Sequence, residues 1–197
     1  MISLRITKDD VSPALALLAG QAKRPRALFA AAGRAVANLF KSHLRMLDRT
    51  RPNKLAGRRT HMWNEFARSV SVPSITDTSA SVLISDPRAA HKHTGGRITA
   101  KRAKFLTIPV VAEAHGRTAR TLESELGIKL FVLGTGESAG LFGQLPGKGI
   151  GIQKYYALKA SVDQPPDPPE GILPEDAEIK RVALAAGAAA LQRQLKT

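Results

Sequence analysis

Between Pro25 and Thr50, apolar residues recur at spacings of three and four, at Phe29, Ala32, Val36, Phe40, His43 and Leu47. That is the period of one face of an α-helix, so the spacing predicts a helix of about 25 residues. Pro25 stands at the favoured first position, where its missing N–H breaks no intrahelical bond. At about 100° per residue the apolar positions fall in a band about 80° wide. Lys41 and Arg45 fall within about 20° of Arg34 on the opposite side. The segment therefore has an apolar stripe to bury and a basic stripe to expose. Gly33 inside it weakens the helix slightly.

The rest of the chain must supply what packs under that stripe. Thr7 with Asp10 resembles a capping box, and Pro13 is tolerated only near a helix start, so a short helix is expected over about Lys8–Ala19, ended by Gly20. After the basic link Arg51–Arg59, Thr60 can cap a shorter helix with Met62, Trp63, Phe66 and Val70 on one face. Beyond Ser71 the period falls toward two. Ala80, Val82 and Ile84 alternate with their neighbours, which predicts a strand pairing with Ser71–Ile75 across Thr76-Asp77-Thr78. Phe105–Val110, Ile128–Leu133 and Gln153–Val162 read as further strands, with Pro109 marking an edge or a strand end. The glycine-rich stretch Gly134–Gly151 reads as a loop.

Residues 163–174 contain five prolines, which exclude helix and central strand and predict a stiff extended arm. From Glu175 to Lys196 an alanine-rich helix resumes, acidic at its start and basic at its end, as its dipole favours. The expectation is an α+β fold: N-terminal helices, a mostly antiparallel sheet, a proline-rich arm and a C-terminal helix. Residues 1–162 are expected to form one domain, 163–174 the arm and 175–197 the closing helix. No repeat of solenoid length occurs.

Charge bears on partners more than on fold. The 197 residues carry 30 Lys and Arg against 16 Asp and Glu, a formal +14. The excess is polarised: the first 60 residues hold 13 basic and 3 acidic side chains, whereas residues 163–197 hold 4 and 6. Six Phe, two Tyr and one Trp are too few for a base-stacking single-strand binder. The absence of cysteine excludes disulfides, thiolate catalysis and cysteine-ligated metals. The mixed, early-acidic start does not read as a signal peptide. The longest apolar runs, Ala14–Ala19 and Val182–Leu191, fall short of the roughly 20 residues that span a bilayer, so no membrane partner is expected.

Motifs for chemistry fail on spacing or order. Gly136-Glu-Ser-Ala-Gly140 satisfies a nucleophile-elbow pattern, but a helix must follow the serine and a histidine must come later in the chain. Two glycines and a proline follow instead, and the last histidine, His115, precedes Ser138. Gly143–Gly149 places its lysine one residue too early for a phosphate loop and supplies no Ser or Thr after Lys148. His91 and His93 on an extended segment would share a side, but no third ligand lies near except Asp86. No enzyme, cofactor or metal is expected.

The basic features are more substantial. Arg34, Lys41 and Arg45, the link Arg49–Arg59 and Lys101-Arg-Ala-Lys104 suit either a phosphate backbone bound without sequence reading or an acidic protein surface. No helix-turn-helix, zinc-finger or RNP-type pattern accompanies them.

Three stretches resemble one family. They are Pro52-Asn-Lys-Leu-Ala-Gly-Arg-Arg-Thr-His-Met-Trp63; His91-Lys-His-Thr-Gly-Gly-Arg-Ile-Thr-Ala-Lys101 leading into Phe105–Gly116; and Tyr156–Val162 before the prolines. In that order they resemble the virion morphogenesis, or tail-completion, proteins of Mu-like tailed phages, over about residues 30–175. The resemblance implies a non-enzymatic structural protein of the virion neck, assembled in the host cytoplasm. It also implies a homo-oligomeric ring, six-fold, joining the head connector to the tail tube, with double-stranded DNA passing through. The alternative is a non-specific nucleic-acid-binding protein acting through the basic helix face. In a ring, Leu141, Phe142 and Leu145 would be a loop ordered on a neighbouring subunit; the alternative is a loop folded onto its own core. Pro165, Pro166, Pro168, Pro169, Ile172 and Leu173 would be an arm likewise ordered on a neighbouring subunit.

Overall fold

The computed structural model describes residues 24–144, 151–168 and 171–196, and the fold is α+β. The helix expected over Lys8–Ala19 lies outside the described residues. The chain forms two compact units. Among the described residues, the first takes 24–50, His61–Thr94 and those from Pro166 on; the second takes Arg51–Thr60 and those within Gly95–Pro165. This differs from one domain over 1–162, and the cause is that two separate sets of apolar side chains are buried.

The first unit is built under helix α1 (Pro25–Thr50), whose bounds match the period of the sequence. Phe29, Ala32, Val36, Phe40 and Leu47 are buried as expected, and His43 is half-exposed. Leu28, Ala30, Ala37 and Leu44 are buried too, so the apolar face is broader than one stripe. It packs on α2 (Met62–Arg68), on the hairpin β1 (Val70–Ile75) and β2 (Ala80–Ile84), and on the C-terminal helix α5 (Asp176–Leu195). The Arg24 N–H donates to Gln194 Oε1 at 3.2 Å and Gln194 Nε2 returns a bond to the Arg24 carbonyl at 3.1 Å, which sets α1 and α5 antiparallel. Gly33 has a structural reason: a Cβ there would lie 2.8 Å from Ala80 Cβ, so only glycine lets the hairpin come this close.

At the start of α2 the capping residue is His61, not Thr60, with φ 52° and no side-chain cap. The hairpin pairs Val70 with Ile84 and Ile75 with Ala80 as antiparallel strands. The turn closes on Thr76, whose Oγ1 accepts the N–H groups of Thr78 and Ser79. His91 and His93 lie on a helix, α3 (Pro87–Thr94), rather than on an extended segment. Two residues apart on a helix they point about 200° from one another and cannot converge on one ion. No group of three metal-ligating side chains occurs among the described residues.

The second unit holds two antiparallel sheets. β3 (Gly96–Thr99) pairs with β8 (Ser161–Gln164), and a four-stranded sheet runs β4 (Leu106–Pro109), β7 (Ile152–Lys159), β6 (Gly140–Gln144), β5 (Phe131–Leu133). The strand expected over Gln153–Val162 is thus two strands in two sheets, divided at Ala160. The glycine-rich stretch expected as a loop contains β6, and Gly136–Ser138 within it is a single 3₁₀ turn. Ile128 and Leu130 turn inward onto the core with helix α4 (Ala119–Leu126), which leaves β5 shorter than expected. The Leu130 N–H donates to Glu123 at 2.8 Å, fixing that turn.

Tyr155 and Tyr156 are the centre of this unit, each 1% exposed. The Tyr156 hydroxyl donates to the Arg117 carbonyl at 3.1 Å. Burial holds both phenols above their ordinary pKa, with Glu113 adding to the effect at Tyr155. A phenol raised in the folded state stabilises the fold fully below its unfolded pKa of about 10, and that contribution is lost as pH rises through the folded value. The second unit is therefore expected to lose stability above about pH 10. Tyr156→Phe should lower its stability at neutral pH by about 0.5–1.5 kcal/mol and flatten the alkaline decline. Denaturant titrations from pH 8 to 11 check both.

Candidate functional site

Three surfaces were singled out by the sequence, and the structure treats them differently. The first is the solvent side of α1. Arg34 and Arg45 are exposed and Lys41 is half-buried, all on the side turned from the core. None of the three has a hydrogen bond or ion pair to a described residue. Asn38, Ser42 and Arg49 share this side and are exposed. Sequence reading missed Asn38 and Ser42, which carry no charge, and placed Arg49 in the basic link rather than on this face, although all three lie within about 80° of Arg34 on the helix.

Two carboxylates stand near the ends of this face. Asp48 is turned aside: its Oδ2 lies 3.0 Å from His61 Nδ1, and its side chain is 14% exposed. Asp77, at the hairpin turn, shares a shallow basin with Arg24, Arg26 and Arg34 and is outnumbered there by three cations. A second basin at the far end is lined by Arg45, Asp48, Arg49 and Asn64. The face is thus a row of donors with its acids at the margins.

The second surface is the glycine-rich segment. Leu141 and Phe142 lie in β6, an interior strand of the four-stranded sheet, so they are not a free loop. Leu141 packs on the core with Tyr155 and Tyr156, and Lys154 Nζ stands 5.8 Å from the Phe142 ring centroid. Leu145 lies outside the described residues. Exposed apolar residues of this sheet cluster next door, on β5: Phe131 is 42%, Val132 65% and Leu133 45% exposed, while Ile152 on β7 is 55% exposed. β5 is an edge strand, so one row of its backbone groups has no strand partner among the described residues. The other edge, β4, ends in Pro109, which removes a donor as the sequence suggested.

The third surface is the proline segment, which does not project as an arm. Ile172 is fully buried in the first core, Pro168 is buried, and Leu173 packs on the same core. Asp167 meets Lys92 at 2.6 Å, and the Ile172 N–H donates to His93 Nδ1 at 3.2 Å. These contacts seat the segment on α3. Pro165 is exposed and Pro166 half-buried, and Pro169 lies outside the described residues. A burial signal was present in the sequence as Ile172-Leu173, but the flanking prolines masked it.

Nearby, Arg88 bridges Asp86 and Glu65, each at 2.6 Å, and lies 5.5 Å from the Phe66 ring centroid. Its guanidinium holds Asp86 below the ordinary carboxylate range by hydrogen bonding, against the opposing effect of burial. This is an ordering contact at the surface rather than acid–base machinery. No helix among the described residues is long and apolar enough to cross a membrane. No family model, curated protein or solved structure matches this chain.

Proposed function

We propose that this chain is a structural protein of the phage neck, of the tail-completion type, which assembles as a six-membered ring between head connector and tail tube. Its place would be the virion, with DNA passing through the ring. The observation that supports an assembling protein best is the β5 edge, three consecutive large apolar residues on an unprotected strand. Stable monomers blunt such edges with charge, proline, a bulge or a very short strand; β5 is three residues long but carries no charge, proline or bulge. Head-to-tail rings need two different complementary surfaces on each copy, which an open edge on one side of a sheet helps to supply.

The reading is tested by the mass of the purified chain in solution. Wild type is expected to form a closed oligomer and Val132→Lys to be monomeric. Val132 is mostly exposed, so the change should alter stability by no more than about 0.5 kcal/mol. A wild-type chain that is monomeric both free and in particles would overturn the reading.

A second reading, a nucleic-acid-binding protein outside any particle, is favoured by Arg34, Lys41 and Arg45, which form no ion pair with a described residue. It predicts a monomer whose Val132→Lys variant behaves as wild type.

A further inference from the structure

We infer that the solvent side of α1 is a docking face for the phosphate backbone of duplex DNA, bound without regard to sequence. The inference concerns the individual chain and does not depend on ring assembly. Arg34, Asn38, Lys41, Ser42, Arg45 and Arg49 lie on one side of the helix, and every one of them carries a hydrogen-bond donor. From Arg34 to Arg49 the run is about 22 Å at 1.5 Å per residue. That is the length of about six base pairs, whose phosphates present charge continuously along it.

An acidic protein surface is the competing occupant, and the composition of the face disfavours it. Protein interfaces draw their affinity from buried aromatic and large apolar anchors. Here the residues between the cations are small or polar: Ala27, Ala31, Asn38 and Ser42. Met46, 38% exposed, is the large apolar residue nearest, and it stands about 120° from Arg34 around the helix. Small residues let the helix lie close to a phosphodiester chain, while long cations on either side reach its oxygens. The acid on this stretch, Asp48, stands at the margin of the face, with its Oδ2 3.0 Å from His61 Nδ1.

The test is anisotropy of a labelled 20-base-pair duplex titrated with the full chain between 50 and 200 mM NaCl. Three phosphate-neutralising cations, Arg34, Lys41 and Arg45, give a slope of log K against log salt of about −2.7, a loss on the order of 40-fold over that range. The triple variant R34A/K41A/R45A should reduce the slope by about 2.7, and R34K/R45K should retain it. All three residues are on the surface, and an unchanged thermal midpoint would show that the variants fold. Two unrelated duplex sequences should bind within a few-fold of each other. The monomeric Val132→Lys variant should keep the slope, which separates this inference from ring assembly. The inference is overturned if the triple variant binds as wild type, or if K101A/R102A/K104A alone abolishes binding. Equal competition by polyglutamate of the same charge would also overturn it, in favour of an acidic protein.

Discussion

Phe66→Ala is expected to lower the stability of the first unit by about 3–5 kcal/mol, the range for truncating a fully buried aromatic residue. Phe66 has no exposed surface and sits on α2 where it faces α1. Its ring meets Trp63 edge-on, with centroids 5.6 Å apart and planes at 87°, so the substitution loses a favourable aromatic pair as well as volume. Arg88 lies over the same ring and would lose that contact too. A thermal midpoint lower by about 10–20 °C should accompany the change. The measurement is calorimetry on the full chain. Retention of the wild-type midpoint would mean that α2 does not close the first core.

Gly171→Ala is expected to have the second largest effect, and it tests whether the proline segment belongs to the first unit. Gly171 has φ +91°, a conformation that L side chains rarely adopt. A Cβ there would press on the His93 imidazole at Nδ1 and lie 2.6 Å from Cε1. The imidazole cannot simply move away, because its Nδ1 accepts the Ile172 N–H that seats the next residue in the core. The loss should exceed the roughly 1 kcal/mol of an ordinary glycine-to-alanine change at a compatible site, and about 2–3 kcal/mol is expected. Proteolysis around residues 163–174 should quicken in the variant. If the segment were a free arm, the substitution would leave both stability and proteolysis unchanged.

These two positions show how far the sequence could be read. α1 was legible to its ends because an amphipathic helix repeats one instruction over many residues, from Pro25 to Leu47. The β1–β2 hairpin was legible for a similar reason, alternation on either side of a polar turn. The second unit was harder. Its strands are three to eight residues long, and β6 is rich in glycine, which carries no propensity signal for strand. Tyr155 and Tyr156 stand in a stretch of strand-like residues with no glycine or proline to mark the break at Ala160, where the strand leaves one sheet and enters another. The proline segment was misjudged because proline fixes local extension but says nothing about what an extended chain lies against. Ile172 and His93 are 79 positions apart in sequence, and only the tertiary fold brings the segment onto α3.

The candidate site divides in the same way. Arg34, Lys41 and Arg45 follow from helical geometry and were placed together from sequence. Phe131, Val132 and Leu133 were read as part of a strand, yet their exposure depends on where that strand falls in the sheet order. Edge position is a property of topology. No local pattern announces it.

The central claim, a ring in the neck of a virion, is tested most directly by locating the chain in purified particles. Quantitative mass spectrometry of tailed virions, with electron microscopy of an affinity-labelled chain, gives both copy number and position. The account expects about six copies per particle, all at the junction of head and tail. Absence from particles, or label spread over the capsid or along the tail, would contradict it.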